Sequence, residues 1–415
     1  MNPVDNDDII DITIIGGGIS GLITALYLSR LNVRLRLFEQ SEHIDTVGFG
    51  LNLQPYCVKC LYELGLENQL NQVGIQTKKA LFYSRHGQFI FEDLRGLDGG
   101  YSHPMYSVHR GYLHQILFYQ LQKLTSPSTI QLSHKLIEFN EKSNLIELKF
   151  LNTKINKIKV IQTKILIGAD GINSSVRKIF YPNEGLPVWK GLQIWRGITY
   201  QENTYLDGKT MICMGNPDTK YFILYPLSNN LINWACVLRI QNETNSSSLS
   251  LNSIDWTNKG NHQDFLPLIQ EMKLDFIDIE QLIKSSMNIN QFPITDRDQI
   301  PRWTFNCVTL IGDAAHPMYP NGGNGASQAI LDAQQLYRSF ILHGITNKAL
   351  EHYESIRHPL TDRMVLLARQ YGPDEILRII DHRSPNPFQH LSQIISSEEI
   401  QSIYENYKKK VSIEK

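Results

Sequence analysis

The sequence IIDITIIGGGISG at residues 9–21 decides how the first part of the chain folds. Its first seven residues are a mostly β-branched run, which predicts a buried parallel strand. Gly16, Gly18 and Gly21 then form a G-x-G-x-x-G motif, and a helical pattern continues to Arg30. The first glycine permits a tight turn, the second lets the backbone approach a pyrophosphate, and the third lets helix and strand pack closely.

A second predicted strand, at residues 33–38, ends at Glu39. An acid about 20 residues after the first glycine is the usual partner of the adenosine ribose in such units. Strand, glycines, helix, strand and acid therefore predict a dinucleotide-binding unit. NAD and FAD share this fingerprint, so the unit alone does not identify the dinucleotide.

Residues 168–177, GADGINSSVR, place an aspartate between glycines at a second strand end. The strand is predicted at 164–167, and a helix follows with Asn173 or Ser174 as its N-cap. An ordinary strand-to-helix turn would have this pattern too. A third segment also has an aspartate beside a glycine at a predicted strand end, and this similarity favours a ligand-binding interpretation.

That third segment begins with an apolar strand at residues 308–311 and continues as GDAAHP at 312–317. A glycine-rich loop follows, and a helix opens at about Gly325. A helix start offers unpaired N–H groups and the positive end of the helix dipole, so it suits negative charge. Asp313, at the end of the strand, is placed to accept a hydrogen bond from a sugar or ribityl hydroxyl.

Between residues 190 and 240 the strand-like runs succeed one another without helices, which predicts an antiparallel sheet in a second domain. Residues 79–95 predict a further strand pair, and 241–253 a polar loop. Aromatic side chains are frequent in the sheet, and they suit a plain core as well as a wall for a ligand: Trp189, Trp195, Tyr200, Tyr221, Phe222, Tyr225 and Trp234.

The length, net charge and composition of the chain exclude several classes of protein. With 415 residues the chain is long enough for two domains, and a net charge of −1 gives no basic footprint for nucleic acid. No apolar run approaches the ~20 residues of a membrane span. The polar, acidic start of the chain does not resemble a secretory signal, so we expect a cytoplasmic protein with reduced thiols. The C-x-x-C of Cys57 and Cys60 falls in a predicted helix without a second pair or nearby histidine, so no metal site is expected.

The order and separation of the three motifs resemble the class A flavoprotein monooxygenases, the p-hydroxybenzoate hydroxylase type. In that family residues 168–177 correspond to the DG motif and residues 312–317 to the GD motif. The likeness covers nearly the whole chain and is strongest to the group of 5-methylphenazine-1-carboxylate monooxygenase and salicylate hydroxylase-like enzymes. The stretches that carry it are 47–55, 106–113, 194–197, 206–211, 296–298, 318–320 and 324–332.

The resemblance implies an α/β fold: a Rossmann-like FAD-binding domain of the glutathione-reductase type with an inserted antiparallel-sheet substrate domain and C-terminal helices. The expected FAD-binding parts are residues 1–78, 101–184 and 294–372. The substrate domain would comprise 79–100 and 185–293, and a helical segment would close the chain at 373–415.

The resemblance also implies the residues that hold FAD. Glu39 would bind the adenosine ribose, and Arg110 and Asp313 would contact the cofactor. Asp170 would lie near the pyrophosphate and NAD(P)H. Residues 45–55 are predicted to form a loop against a ligand, and residues 48–52 of this loop would line the isoalloxazine. Gly325 and Ala326 would face the N1–C2=O edge of the same ring. The complete predicted set is Gly16, Gly18, Ile19, Ser20, Gly21, Glu39, Gln40, Gly50, Leu51, Asn52, Arg110, Leu136, Asp170, Asp313, Gly325 and Ala326.

The implied reaction hydroxylates, with or without decarboxylation, an aromatic or N-heteroaromatic acid such as a phenazine carboxylate or a salicylate-like compound. NADH or NADPH would visit briefly, because only one dinucleotide fingerprint is present, and O₂ would react through a flavin C4a-hydroperoxide. Arg196 is the candidate partner of a substrate carboxylate, and Tyr225 a candidate hydrogen-bond donor. His316 could act as a general base, but a proline-anchored loop histidine is more often structural.

Other interpretations stay open at this point. A monooxygenase of the same fold could act on a polycyclic natural product or antibiotic. An NAD-dependent dehydrogenase would be colourless, and an FAD-holding scaffold would not be reduced by NAD(P)H. The sequence also leaves open whether the chain forms a homodimer.

Overall fold

The computed structural model describes residues 9–44, 48–142, 144–202, 204–240 and 258–411. The acidic start of the chain, the predicted polar loop at 241–253 and residues 45–47 of the predicted flavin-lining loop lie outside the described residues. Among the described residues, no helix is long and apolar enough to cross a membrane.

The elements follow one another in a mixed order. The strands are β1 (Ile9–Ile15), β2 (Leu35–Phe38), β3 (Gly50–Leu53), β4 (Gly74–Thr77), β5 (Lys79–Tyr83), β6 (Phe89–Leu94), β7 (Met105–His109), β8 (Ile130–Gln131), β9 (His134–Lys142), β10 (Leu145–Asn152), β11 (Lys157–Gly168), β12 (Val188–Tyr200), β13 (Thr210–Asn216), β14 (Lys220–Pro226), β15 (Leu231–Arg239), β16 (Ser286–Asp296), β17 (Thr304–Phe305) and β18 (Val308–Leu310). The helices are α1 (Ile19–Leu28), α2 (Pro55–Glu63), α3 (Glu67–Val73), α4 (Arg110–Leu124), α5 (Ser175–Phe180), α6 (Ile279–Lys284), α7 (Gly325–His343), α8 (Asn347–Arg369), α9 (Glu375–Arg383) and α10 (Ser397–Val411).

The first layer is an eight-stranded sheet with the order β17-β18-β11-β1-β2-β8, and β9 and β10 extend it from β11. β1 runs parallel to β2 and β11, and β11 runs parallel to β18. Their carboxyl ends therefore meet at one edge of the sheet, which is where ligands bind in open α/β folds. The predicted strand at 164–167 is the end of the longer strand β11.

Helices α1, α4, α7 and α8 cover the parallel strands because their apolar faces pack into one core. The β-branched run of β1 contributes Ile12 and Ile14, and α1 contributes Leu22 and Leu26. All four side chains are almost completely buried. The buried parallel strand that the sequence predicted is therefore confirmed.

The second layer is a seven-stranded sheet with the order β16-β12-β15-β14-β13-β5-β6. Alternation along its strands sorts the aromatic side chains onto two faces. Trp195, Phe222 and Trp234 pack on one side, whereas Tyr221 and Tyr225 belong to the apolar cluster on the other side, which also includes residues of the carboxyl-terminal helices. Both groups of aromatic residues therefore belong to apolar clusters, and the role of either face as a wall for a ligand stays a prediction.

One local expectation is wrong, and a second is confirmed only in part. Residues 50–53, predicted as part of a loop, form strand β3, which pairs antiparallel with β7 in a three-stranded sheet. The run Lys408 to Lys410, whose charge alone would predict a solvated tail, lies in helix α10 with Lys409 and Lys410 exposed. The Lys408 ammonium lies 4.3 Å from the centre of the Tyr404 ring and 4.0 Å from Asp93 Oδ1. Both segments are ordered by contacts with distant parts of the chain, which local patterns do not reveal.

Candidate active site

The G-x-G-x-x-G turn has the three geometries that its glycines predict. Gly16 has a φ of +106°, and a Cβ there would lie 2.4 Å from the Ala169 oxygen. A Cβ on Gly21 would lie 1.9 Å from the Gly16 oxygen, so strand and helix touch through this glycine. A Cβ on Gly18 would meet no atom within 4 Å. The space at Gly18, in front of the N–H groups that begin α1, suits a phosphate group.

Glu39 lies beside this turn at the end of β2. Its Oε2 accepts a hydrogen bond from the Gly17 nitrogen at 2.6 Å, and its Oε1 accepts one from the Ser41 nitrogen at 2.8 Å. The carboxylate is therefore fixed in orientation beside the start of α1. Gln40 is exposed, and Leu136 is buried in β9.

Arg110 and Asp313 face the same cleft from different elements. Arg110 begins α4, and Asp313 follows β18 at the start of a 3₁₀ turn. Water reaches both side chains, yet burial lowers the pKa of Arg110 and raises the pKa of Asp313, while each charge opposes the shift of the other. Within the described residues neither side chain makes a hydrogen bond or an ion pair. Two opposite charges thus line the cleft, and their polar atoms are accessible to a ligand.

Asp170, the acid of the DG motif, caps a helix. Its carboxylate accepts hydrogen bonds from the Ser175 nitrogen at 2.7 Å, from the Val176 nitrogen at 3.2 Å and from the Ser174 hydroxyl. Burial raises the pKa of Asp170, and these hydrogen bonds oppose the shift. Ser174 is the N-cap of α5, as predicted, because its hydroxyl accepts from the Arg177 nitrogen at 2.9 Å.

Arg177 joins the DG motif to the GD motif, a role that the sequence did not suggest. The guanidinium is buried, and it donates to the Ala314 and Ala315 oxygens at 3.1 and 2.9 Å. Glu184 forms the ion pair that balances its charge. The only sequence signal would have been an arginine in the last turn of a short helix, which usually serves the helix itself.

A second buried ion pair supports the GD motif from behind. Asp332 on α7 accepts hydrogen bonds from the Gly312 nitrogen at 3.1 Å and from Arg357 Nε at 2.7 Å, and it also bonds His316. Burial alone would raise the pKa of Asp332, but His316 and Arg357 hold it at about 2. His316 is buried in this network, so its geometry suits a structural role better than that of a general base.

Helix α7 begins at Gly325, and the loop that leads into it lies beside strand β3. A Cβ on Gly323 would have Asn52 Cβ as its nearest neighbour at 3.7 Å, and Gly325 and Ala326 are only half-buried. The preceding residue, Asn324, accepts a hydrogen bond from the Tyr56 hydroxyl at 2.6 Å. The structure therefore brings the two predicted flavin-facing segments together, with the helix dipole available to stabilise negative charge between them.

Arg196 and Tyr225 approach this place from the second sheet and converge on Gly50. Arg196 Nη2 donates to the Gly50 oxygen at 2.6 Å, and a Cβ on Gly50 would overlap the Tyr225 ring. Asn233, which the sequence analysis missed, accepts a hydrogen bond from the Gly50 nitrogen at 2.7 Å. Burial lowers the pKa of Arg196 and raises that of Tyr225, and each opposes the shift of the other. Both side chains therefore brace strand β3, and Arg196 has one terminal nitrogen fewer for a substrate.

The cleft fits FAD. It offers empty space at Gly18, a fixed carboxylate at Glu39 and two unpaired charges at Arg110 and Asp313. The Ser20 hydroxyl is buried at the start of α1 and has no hydrogen-bond partner among the described residues, which is costly unless a ligand supplies one. Phosphates, ribose and ribityl hydroxyls are the groups that would satisfy these positions.

Comparison with known proteins agrees with this geometry. A family model described as FAD binding domain matches residues 10–368. Phenazine 1,6-dicarboxylic acid hydroxylase PhzS of Lysobacter antibioticus is 33% identical over 366 residues, which cover 86% of this chain and 88% of that protein. The 6-hydroxynicotinate 3-monooxygenase of Bordetella bronchiseptica is 26% identical over 351 residues, covering 81% and 84% of the two chains.

The fold is also that of a solved structure. Klebsiella pneumoniae HpxO complexed with FAD and uric acid superposes with a TM-score of 0.71 at 19% identity, covering 96% of this chain and 93% of that one. The predicted fold class is confirmed, and FAD is the cofactor. The chain belongs to the FAD binding domain family and, within it, to the class A flavoprotein monooxygenases.

Proposed function

We propose that this enzyme hydroxylates an N-heteroaromatic or aromatic carboxylic acid at the expense of NADH or NADPH and O₂. Similarity over most of both chains to a phenazine dicarboxylic acid hydroxylase supports this substrate class, and similarity to a hydroxynicotinate monooxygenase agrees with it. When bound, FAD supplies the redox and oxygen chemistry that no side chain can perform. Whether a carboxyl group leaves during the reaction is decided by the substrate.

One observation carries the proposal. Side chains of the second sheet reach strand β3 at Gly50, so the aromatic face of that sheet and the cofactor cleft form a single site. Tyr225 is buried at this junction, and Met211 and Cys213 belong to the same apolar cluster. A flat apolar ring placed between this face and the start of α7 would lose its hydration on both sides.

Different residues would bind FAD, stabilise charge on its ring and position strand β3. Glu39, Arg110 and Asp313 would hold FAD, and the start of α7 at Gly325 and Ala326 would stabilise negative charge on the ring. We propose that Arg196 and Tyr225 position strand β3 rather than bind the substrate carboxylate, because their polar groups already meet Gly50 and each other.

We further propose a cytoplasmic enzyme. Its net charge of −1 gives no basic surface for a nucleic acid, so we propose that it needs no nucleic acid partner. The division into an FAD-binding part and an inserted substrate part is likewise a proposal. It is supported by the shared sheet of β5, β6 and β12 to β16.

Oxygen incorporation tests the proposed function. The FAD-loaded enzyme is incubated with NADH or NADPH under ¹⁸O₂, with phenazine-1-carboxylic acid, phenazine-1,6-dicarboxylic acid and 6-hydroxynicotinate as substrates. We expect at least one acid to accelerate the oxidation of NADH or NADPH and to gain one labelled oxygen atom per NAD(P)H consumed. Acceleration without a labelled product for every acid would refute hydroxylation, since the enzyme would then only reduce O₂ to peroxide.

A further inference from the structure

A small cavity lies beside the start of α7, outside the FAD cleft. Its volume is about 30 Å³, enough for two water molecules or a carboxylate group but not for an aromatic ring. Gln54, Gly322 and Asn324 line it on the side of the predicted flavin edge. Arg95, Tyr404 and Lys408 line it on the side of the substrate sheet and of α10. The cavity therefore connects the two regions between which a substrate ring would lie.

Arg95 is the unusual group in the wall of this cavity. It follows β6, and only 17% of its side-chain surface is exposed. Its Nε faces Asp93, which is itself buried. Its terminal nitrogens make no hydrogen bond with any residue that the structure describes. A buried guanidinium with an unused fork is costly, and a planar carboxylate is the group that satisfies such a fork in a bidentate way.

The charges around the cavity favour an anion. Lys408 Nζ lies 4.0 Å from Asp93 Oδ1, so two cations share one carboxylate in the wall. A second acid, Asp374, lies behind the wall, where burial raises its pKa to about 6 and Tyr221 and Arg95 oppose the shift. In the wall itself two cations outnumber one carboxylate, so an incoming carboxylate is attracted there, and the ionised Asp374 behind the wall weakens that attraction.

The alternative carboxylate partner, Arg196, is less available. One of its terminal nitrogens is bonded to the Gly50 oxygen, and its guanidinium lies 5.2 Å from the centre of the Phe49 ring. Arg95 has neither restraint. The difference arises because Arg196 supports strand β3, whereas the ion pair of Arg95 within the described part of the chain is with Asp93.

We propose that Arg95 binds the carboxylate of the aromatic substrate in this cavity and so determines the preference of the enzyme for acids. The inference rests on the proposed function, because it assumes an aromatic acid as substrate. The ring would extend from the cavity past Asn324 towards the flavin edge. Lys408 of α10 would add a second positive charge to the same subsite.

Ligand binding to the FAD-loaded enzyme tests this inference without turnover. Two pairs of probes of nearly equal shape are titrated at pH 7.5 and followed by the visible spectrum of the flavin: phenazine-1-carboxylic acid with phenazine-1-carboxamide, and 6-hydroxynicotinate with 6-hydroxynicotinamide. In the wild type we expect the acid of at least one pair to bind about tenfold or more tightly than its amide. In Arg95→Gln the ratio should fall to about one while amide affinity is kept.

The matched control is Arg85→Gln. Arg85 lies in the turn between β5 and β6 and also pairs with an acid, Asp381, but it does not line the cavity. The acid-to-amide ratio should be unchanged in this variant. Arg95→Lys keeps the positive charge and replaces the glutamine variant in the test if that variant does not fold. Because lysine lacks the bidentate guanidinium, the acid-to-amide binding ratio of this variant should be about threefold or more below that of the wild type.

Several outcomes would overturn the inference. They are a wild type that binds acids no more tightly than amides, an Arg95→Gln variant that keeps the ratio, and an Arg95→Gln variant that loses acid and amide affinity equally. The proposed function fails separately. If no acid gains labelled oxygen although Arg95→Gln still abolishes acid preference, the subsite stands without the hydroxylation.

Discussion

Replacing Gly18 by alanine separates the folding of the dinucleotide turn from its use. Gly18 has a φ of −70° and a ψ of −178°, an extended conformation that any residue adopts, and a Cβ there meets no atom within 4 Å. The free energy of unfolding of the flavin-free protein should therefore change by less than about 1 kcal/mol. The added methyl group would instead occupy the space of the pyrophosphate.

The loss in FAD affinity follows from overpacking. Inserting a methyl group into a filled site costs about 1–3 kcal/mol, which corresponds to a roughly 5- to 150-fold higher Kd for FAD. The assay is fluorescence titration of flavin-free protein with FAD, together with its Tm. Gly21→Ala is the contrasting variant, because its Cβ would lie 1.9 Å from the Gly16 oxygen. We expect it to lower the free energy of unfolding by about 3 kcal/mol or more. If Gly18→Ala kept FAD affinity, or lost as much stability as Gly21→Ala, the assignment of this space to the pyrophosphate would be refuted.

Three further variants test individual contacts. Asp313→Ala should raise the Kd of FAD about 10- to 150-fold, the effect of losing a charged hydrogen bond, and an undiminished flavin content after purification would contradict this. Asp374→Asn should stabilise the protein at pH 7.5 but not at pH 4. The pKa of Asp374 is about 6 in the folded protein against 3.8 for the free group. The free energy of unfolding of the wild type therefore falls by up to about 3 kcal/mol as the pH rises from about 4 to 6. A gain in Tm of equal size at both pH values would show that ionisation of Asp374 is not the cause. Arg196→Gln should lower kcat about tenfold through misplacement of strand β3 while the acid-to-amide binding ratio stays within about twofold; a collapse of that ratio would make Arg196, and not Arg95, the carboxylate partner.

The cofactor half of the site could be predicted because its signals are local. The two strands, the glycines and the acid after β2 lie within 31 consecutive residues, 9–39. The structure shows the close approaches at Gly16 and Gly21 and the open space at Gly18 that the motif predicts. Asp313 was recognisable for the same reason, since a strand end and a glycine frame it.

The contacts that complete the site could not be predicted because they join distant residues. Asn233 bonds Gly50 across 183 positions, and Arg177 reaches Ala315 across 138. Nothing near Gly50 in the sequence marks it as a strand residue held from another sheet. Arg95 had one local signal, its spacing of two from Asp93: in extended backbone this spacing places both side chains on one face, and Arg95 directly follows β6.

Uptake of FAD by the purified, flavin-free chain tests the central claim most directly. Titration followed by the visible spectrum should show binding of one FAD per chain, followed by bleaching when NADH or NADPH and an aromatic acid are added without oxygen. A folded chain that takes up no FAD, or whose bound flavin stays oxidised with both reductants and every acid, would contradict the account.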